Sequence, residues 1–255
     1  MVMSSPQSEF GVVVTGNELL CGKRSDRHLP HVIDTLYARG QAVAWCIIVG
    51  DDIKRLVRTL RETRREGLPV FCFGGIGATP DDRTRQAAAA AFNIRLERNF
   101  EALSLIELQF GEQAYPNRVR MADLPEDSVL IPNPVNRVPG FTLGDYHFLP
   151  GFPQMAWPML EWVLEQYYPP PGEVFKERSV RLADVPESEL LDLMDQLAQR
   201  HAAADLFSLP RLGKDCSVEV GFRGRRAPVD AAFDELLAEL RARSLVFEML
   251  PDRAH

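Results

Sequence analysis

Three short runs in the first third of the chain are almost wholly apolar: FGVVVT (10–15), VAWCIIV (43–49) and PVFCF (69–73). Each has the length of a strand, and none alternates apolar with polar residues. Between the first two, Leu29, Val32, Ile33, Leu36 and Tyr37 recur at helical spacing. Between the second two, Ile53, Leu56, Val57 and Leu60 do the same. A β-α-β-α-β order whose strands lack a polar face predicts an α/β fold: a mostly parallel sheet covered by helices on both sides, in three layers. Ligands of such sheets lie beyond the carboxyl ends of the strands, so the loops that follow the three runs are the places to look for chemistry.

The third run leads into GGIGATPDDRTRQAAAAAF (74–92). Gly74, Gly75 and Gly77 let the backbone turn tightly and come close to a ligand. Thr79 or Asp81 is positioned to cap a helix that begins near Arg83, and free amides at a helix start can hold phosphate. The adjacent carboxylates of Asp81 and Asp82 repel phosphate unless a divalent cation intervenes; magnesium, with its preference for oxygen ligands, is favoured. Asp82 is the first choice as metal ligand, and Asp81 shares that role or only caps. The segment lacks the G-x-x-x-x-G-K-[ST] order of a mononucleotide loop, and it follows the third strand rather than the first. A structural turn with a capping aspartate is the plainer alternative.

The other loops add to the same end of the sheet. Asn17 and Glu18 follow the first strand; Glu18 can bind metal through water, orient a hydroxyl or cap a turn. Asp51 and Asp52 follow the second strand and suit helix capping. In IPNPVNRVPGF (131–141), the amides of Asn133 and Asn136 can read the edge of a base or pterin, and Arg137 can hold phosphate, against purely local turn contacts. Metal-assisted attack on a phosphoanhydride, with Asp82, Asp81 and Glu18 as catalytic candidates, fits this inventory best. H-E-x-x-H and G-x-S-x-G are absent from the sequence.

The formal net charge of -7 speaks against broad attraction to nucleic acid or anionic lipid. No apolar stretch reaches the roughly 18 residues of a membrane span, and the start does not read as a signal peptide. Four cysteines without a C-x-x-C pair suit a reducing, cytoplasmic setting. YYPPPG (167–172) marks a boundary between residues 1–168 and 169–255. The second part reads as a small α+β domain. It holds 12 basic and 16 acidic residues from 173 onward, which speaks against nucleic acid as a partner despite Lys214, Arg223, Arg225 and Arg226.

Taken in order, G-N-E-L-L-x-G, V-G-D-D, G-G-I-G-A-T-x-D-D-x-T, N-P-x-x-x-x-P-G-F and P-G-F-P resemble the molybdopterin-binding domain of the competence/damage-inducible protein A family. The resemblance covers about residues 8 to 168. More weakly, residues 173 to 250 resemble that family's KH-like domain. The C-terminal nicotinamide-nucleotide deamidase domain of many members has no counterpart in these residues. The resemblance implies a fold of the molybdenum-cofactor biosynthesis type, a phosphorylated pterin or nucleotide as ligand, and a homo-oligomer, most simply a dimer. It also implies metal-dependent hydrolysis of ADP-ribose or a similar dinucleotide pyrophosphate in some members. Asp82 stands in line with their magnesium-supporting aspartate. Departures fall on one side of the pocket: Asn136, Arg137 and Val138 replace the usual Gly-Thr-Ala, Met155 stands where an acid is usual, and His28 replaces an Asn. The alternative they raise is a protein that binds a pterin or nucleotide without reacting it.

Overall fold

The computed structural model describes residues 8–172, 175–211 and 216–254. They divide into two compact units, one of residues 8–36 and 42–169, the other of 37–41 and the described residues from 170 onward.

The first unit runs β1 (Glu9–Thr15), α1 (Asn17–Leu20), α2 (His28–Ala38), β2 (Ala42–Val49), α3 (Ile53–Thr63), β3 (Val70–Phe73) and α4 (Thr84–Phe92). It continues with β4 (Leu96–Arg98), α5 (Phe100–Phe110), β5 (Asp123–Pro125), β6 (Val129–Ile131), β7 (Gly140–Leu143), β8 (Tyr146–Leu149) and α6 (Pro153–Tyr167). Six strands form one sheet in the order β2-β1-β3-β8-β7-β6. The first four are parallel; at the far side β7 pairs antiparallel with β8, and β6 pairs antiparallel with β7. Strand alternation sorts the core into two layers. Phe10, Val12, Val14, Phe71 and Phe73 pack with Val32 and Leu36 of α2 and with Met159, Leu160 and Val163 of α6. Val13, Val70 and Cys72 pack on the other face with Leu56 and Leu60 of α3, Ala87, Ala88 and Ala91 of α4, and Ile106 of α5. This is the three-layer α/β arrangement the apolar runs predict.

One expectation fails at the edge. VAWCIIV has no polar residue, yet β2 is not buried on both faces: Ala44, Ile47 and Ile48 are exposed. β2 is the outermost strand, with β1 on one side only. Strand β7 is not evident from the sequence, because Pro139-Gly140 reads as the end of a loop.

The second unit runs β9 (Phe175–Ala183), α7 (Leu191–Arg200), β10 (Asp205–Arg211), β11 (Ser217–Arg225), α8 (Arg226–Ala242), β12 (Glu248–Met249) and β13 (Arg253–Ala254). Its antiparallel sheet has the order β10-β11-β9-β12, with β13 also on β9. That is the split β-α-β-β-α-β wiring. Val180, Leu182, Val218, Val220 and Phe222 pack against Leu193 and Leu197 of α7 and Val229, Phe233, Leu236 and Leu240 of α8. Gly221 to Gly224 lie inside β11, paired to Ser179 through Lys176 of β9, and so form no open G-x-x-G loop. Lys214 lies outside the described residues. No helix among the described residues is long and apolar enough to cross a membrane.

Candidate functional site

The four parallel strands end together, and the loops after β1, β2, β3 and β8 meet beyond them. After β3 the chain turns at Gly74 (φ 95°) and Gly75 (φ 71°), both in the left-handed region that only glycine enters cheaply. Their missing side chains leave room for the protein itself. A Cβ on Gly74 would lie 2.5 Å from the Thr15 carbonyl oxygen, one on Gly75 would overlap Thr84 Oγ1, and one on Gly77 would overlap Asp82 Oδ2. The missing side chains of these glycines are thus required by close internal packing as well as by the turn.

The carbonyl side of this loop is tied down. Thr84 Oγ1 donates to Gly74 O at 2.9 Å, Thr84 N donates to Gly75 O at 2.9 Å, and Arg85 Nη2 donates to Gly77 O at 2.6 Å. The amide side is not. The N–H groups of Gly75, Ile76, Gly77 and Ala78 donate to no group among the described residues. Consecutive free amides in a turn form a concavity suited to an anion. Thr15 Oγ1, at the end of β1, is likewise buried without a partner.

Arg85 was not visible as a site residue in the sequence. It is 3% exposed, and its guanidinium also donates to Arg120 O and, at 3.3 Å, to Asp123 O. Burial lowers its pKa. The signal that it lies inward is only its helical spacing beside Ala88 and Ala89, which a long cationic side chain masks.

The aspartate turn follows. Thr79 Oγ1 lies 2.5 Å from both Asp81 Oδ1 and Asp82 Oδ2, and Asp82 Oδ2 also accepts from Thr79 N at 2.9 Å. Neither Thr79 nor Asp81 caps α4: the residue before that helix is Arg83, with no side-chain cap. The turn is closed on itself instead. A hydroxyl has one hydrogen, so only one carboxylate receives it at a time, and the second O···O contact suits an added proton or a cation. The Thr79 bond holds the Asp81 carboxyl below the usual carboxylate range.

Asn17 and Asp51 join the loops after β1 and β2. Asn17 N donates to Asp51 Oδ2 at 3.0 Å, and Asp51 N donates to Asn17 Oδ1 at 3.3 Å. Capping of α3 falls to Asp52, which accepts from Arg55 N at 2.9 Å. Glu18 folds back over Gly16, its Oε2 2.7 Å from where a Cβ would stand. Burial raises the Asp51 pKa, with the nearby charges of Glu18, Asp81 and Asp82 adding to it and the Asn17 amide opposing it. Asn17, Asp51, Asp52, Pro80, Asp81 and Arg83 line a cleft of about 400 Å³. Among the described residues, no group of three or more His, Cys, Asp or Glu side chains is arranged to hold a metal by itself. The donor set of Asp81, Asp82 and Thr79 is oxygen only, and magnesium often takes one or two carboxylates and completes its shell with water and phosphate. The residues thus fit a cation that arrives with a phosphate.

In the proline-rich loop the purely local turn contacts are the ones the structure shows. Asn133 is buried, and its amide is consumed locally: Nδ2 donates to Asn136 Oδ1 (2.8 Å) and Val138 O (2.9 Å), while Oδ1 accepts from Val135 N (3.0 Å). Asn136 Oδ1 also accepts from Val138 N at 3.1 Å, and its Nδ2 lies 3.4 Å from Met155 Sδ. These amides shape the loop rather than face a ligand. Arg137 is exposed and has φ 58°. His28 is buried, stacks on Phe73 at 4.4 Å, and contacts Gly151 O through Nε2 at 3.2 Å. Its burial lowers its pKa.

Residues 11–169 match the family model described as "Probable molybdopterin binding domain". The chain belongs to the CinA-like family. A CinA-like protein of Geobacter sp. (strain M21) is 37% identical over 158 residues, covering 59% of this chain and 38% of that protein. The chain therefore spans well under half the length of that CinA-like relative. A protein of Caldivirga maquilingensis is 30% identical over 199 residues, covering 75% of this chain and 77% of its own. The crystal structure of the protein CinA, of unknown function, from Thermoplasma acidophilum superposes with TM-score 0.57 at 28% identity, over 62% of this chain and 97% of that one. The family match ends where the first unit ends, so every element of the cleft lies within it.

Proposed function

We propose that this CinA-like chain binds a phosphorylated pterin or nucleotide at the carboxyl edge of its first sheet, with a divalent cation bridging the phosphate to Asp81 and Asp82. The observation that carries this reading is the loop of residues 74–78: its carbonyls are bound to Thr84 and Arg85, and four successive amides are left over. Buried or half-buried amides without acceptors are costly, so a site that leaves four of them together favours an anion. The cation offsets the repulsion between phosphate and the two carboxylates, which otherwise decides against binding.

A second reading keeps the ligand and adds hydrolysis of a pyrophosphate bond. It is favoured by Asp51, whose raised pKa beside Glu18, Asp81 and Asp82 suits a group that takes a proton from water.

Both readings are tested by calorimetric titration with AMP, ADP-ribose and a phosphorylated pterin, with and without magnesium, beside chromatography for AMP release. Magnesium-dependent binding by wild type, weakened at least tenfold in Asp82→Asn, is the expected result. Release of AMP would move the assignment to the second reading. Absence of binding to all three ligands would defeat both.

A further inference from the structure

Beside the glycine loop, on the side of β8, lies the Pro150–Pro153 loop, and beyond it the loop of residues 132–139. Its polar capacity is spent, since the amides of Asn133 and Asn136 bond within their own loop. What the two loops present outward is apolar and cationic: Phe152 is 58% exposed, Val135 is 55% exposed, and Arg137 is exposed two residues on.

The backbone of Phe152 is held firmly, while its ring is in water. Its carbonyl accepts from Met155 N at 3.0 Å and Ala156 N at 2.9 Å, at the start of α6. The preceding Gly151 abuts the glycine loop, a Cβ there lying 3.4 Å from Gly74 Cα, and its carbonyl meets His28 Nε2. One turn on, Met155 meets Asn136 of the proline-rich loop. Phe152 is therefore carried between a residue that abuts the loop with the free amides and one that meets the loop with Arg137. An aromatic ring with only two side-chain torsions, carried on a fixed backbone, gives a flat ligand a surface to lie on at modest entropic cost.

Resting on the ligand proposed above, we infer that Phe152 is the platform on which the ligand's flat ring stacks. The site accepts flat heterocycles as a class, because this side offers a face and a charge, while the side-chain amides of Asn133 and Asn136 that could read a ring edge are bonded within the protein. Stacking on an aromatic side chain tolerates different bases, since every base has a π-face.

The test titrates wild type, Phe152→Ala and Phe152→Trp with AMP, flavin mononucleotide and ribose 5-phosphate in magnesium, with sedimentation to follow association. Wild type is expected to bind the two ring-bearing ligands within a few-fold of each other, and both at least roughly tenfold more tightly than ribose 5-phosphate. Phe152→Ala should remove that advantage and leave ribose 5-phosphate unchanged; Phe152→Trp should keep it. If wild type binds none of the three, the proposed ligand class itself fails. If wild type prefers the ring-bearing ligands and Phe152→Ala keeps the preference, the platform is overturned while the ligand class stands. A change in association state with unaltered affinity also overturns it, because the ring would then belong to an interface between copies.

Discussion

Replacing Arg85 by methionine keeps the length and apolar stem of the side chain and deletes its guanidinium. The loss can be sized from its contacts. The guanidinium donates to three carbonyls, Gly77 O, Arg120 O and Asp123 O, the last of them long. Hydrogen bonds from a charged donor contribute about 1.5–3 kcal/mol each, so two good ones contribute roughly 3–6 kcal/mol. Against this, the variant no longer buries a charge, which returns part of that sum. It also leaves buried carbonyls bare, at about 1–3 kcal/mol apiece unless water reaches them. A net loss of about 2–4 kcal/mol is the balance, or roughly 5–15 °C in melting temperature for a unit of this size. The glycine loop should also lose its hold at Gly77, so ligand affinity should fall in parallel. Thermal and urea unfolding, with titration of the ligand bound by wild type, measure both effects. An Arg85→Met protein melting within about 2 °C of wild type, with unaltered affinity, would refute the bracing argument.

Two further outcomes are expected. Gly75→Ala drives a Cβ into Thr84 Oγ1 at φ 71°, while Thr84 is itself bonded to Gly74 O, so neither partner can yield easily; a loss of about 1–3 kcal/mol by urea unfolding and weaker ligand binding should follow. His147 is buried between Thr142 Oγ1 (2.9 Å) and Tyr168 Oη (2.8 Å), and burial pushes its pKa down to about 3 from 6.5. Between those values the unfolded chain binds the proton and the native chain does not, so this group's stabilisation is complete above about 6.5 and is lost as pH falls toward 3. The slope is about 1.4 kcal/mol per pH unit in that window, and His147→Phe should flatten it in unfolding curves taken from pH 7 to 4.

The frame of the first unit was readable because its strands and helices carry their periods openly: FGVVVT, VAWCIIV and PVFCF are β1, β2 and β3, and the stripes between them are α2 and α3. The error at β2 has a plain cause. Composition reveals that a strand is apolar but not whether a neighbour lies on each side of it. The positions of the loop residues were readable too, since Asn17, Glu18, Asp81 and Asp82 follow strand ends. Their partners were not. Whether Asn133 faces a ligand or its own loop depends on side-chain direction, and Thr79 closes a turn rather than a helix because α4 starts after Arg83. Arg85 stayed hidden because an arginine in the first turn of a helix ordinarily reaches water, and only the segment at 118–123 packing over it makes the difference.

The two ends of the six-stranded sheet are unlike. At one end β6 has three residues and is followed at once by Pro132, which cannot donate to an added strand. At the other, β2 offers eight residues without a charge or proline. A second copy joining by strand addition would use β2 of both chains and leave only the blunted β6 ends outward. Growth by that route stops at a pair, since a symmetric contact consumes the edge that made it. The same asymmetry that leaves Ile47 and Ile48 in water thus limits how far such sheets can polymerise.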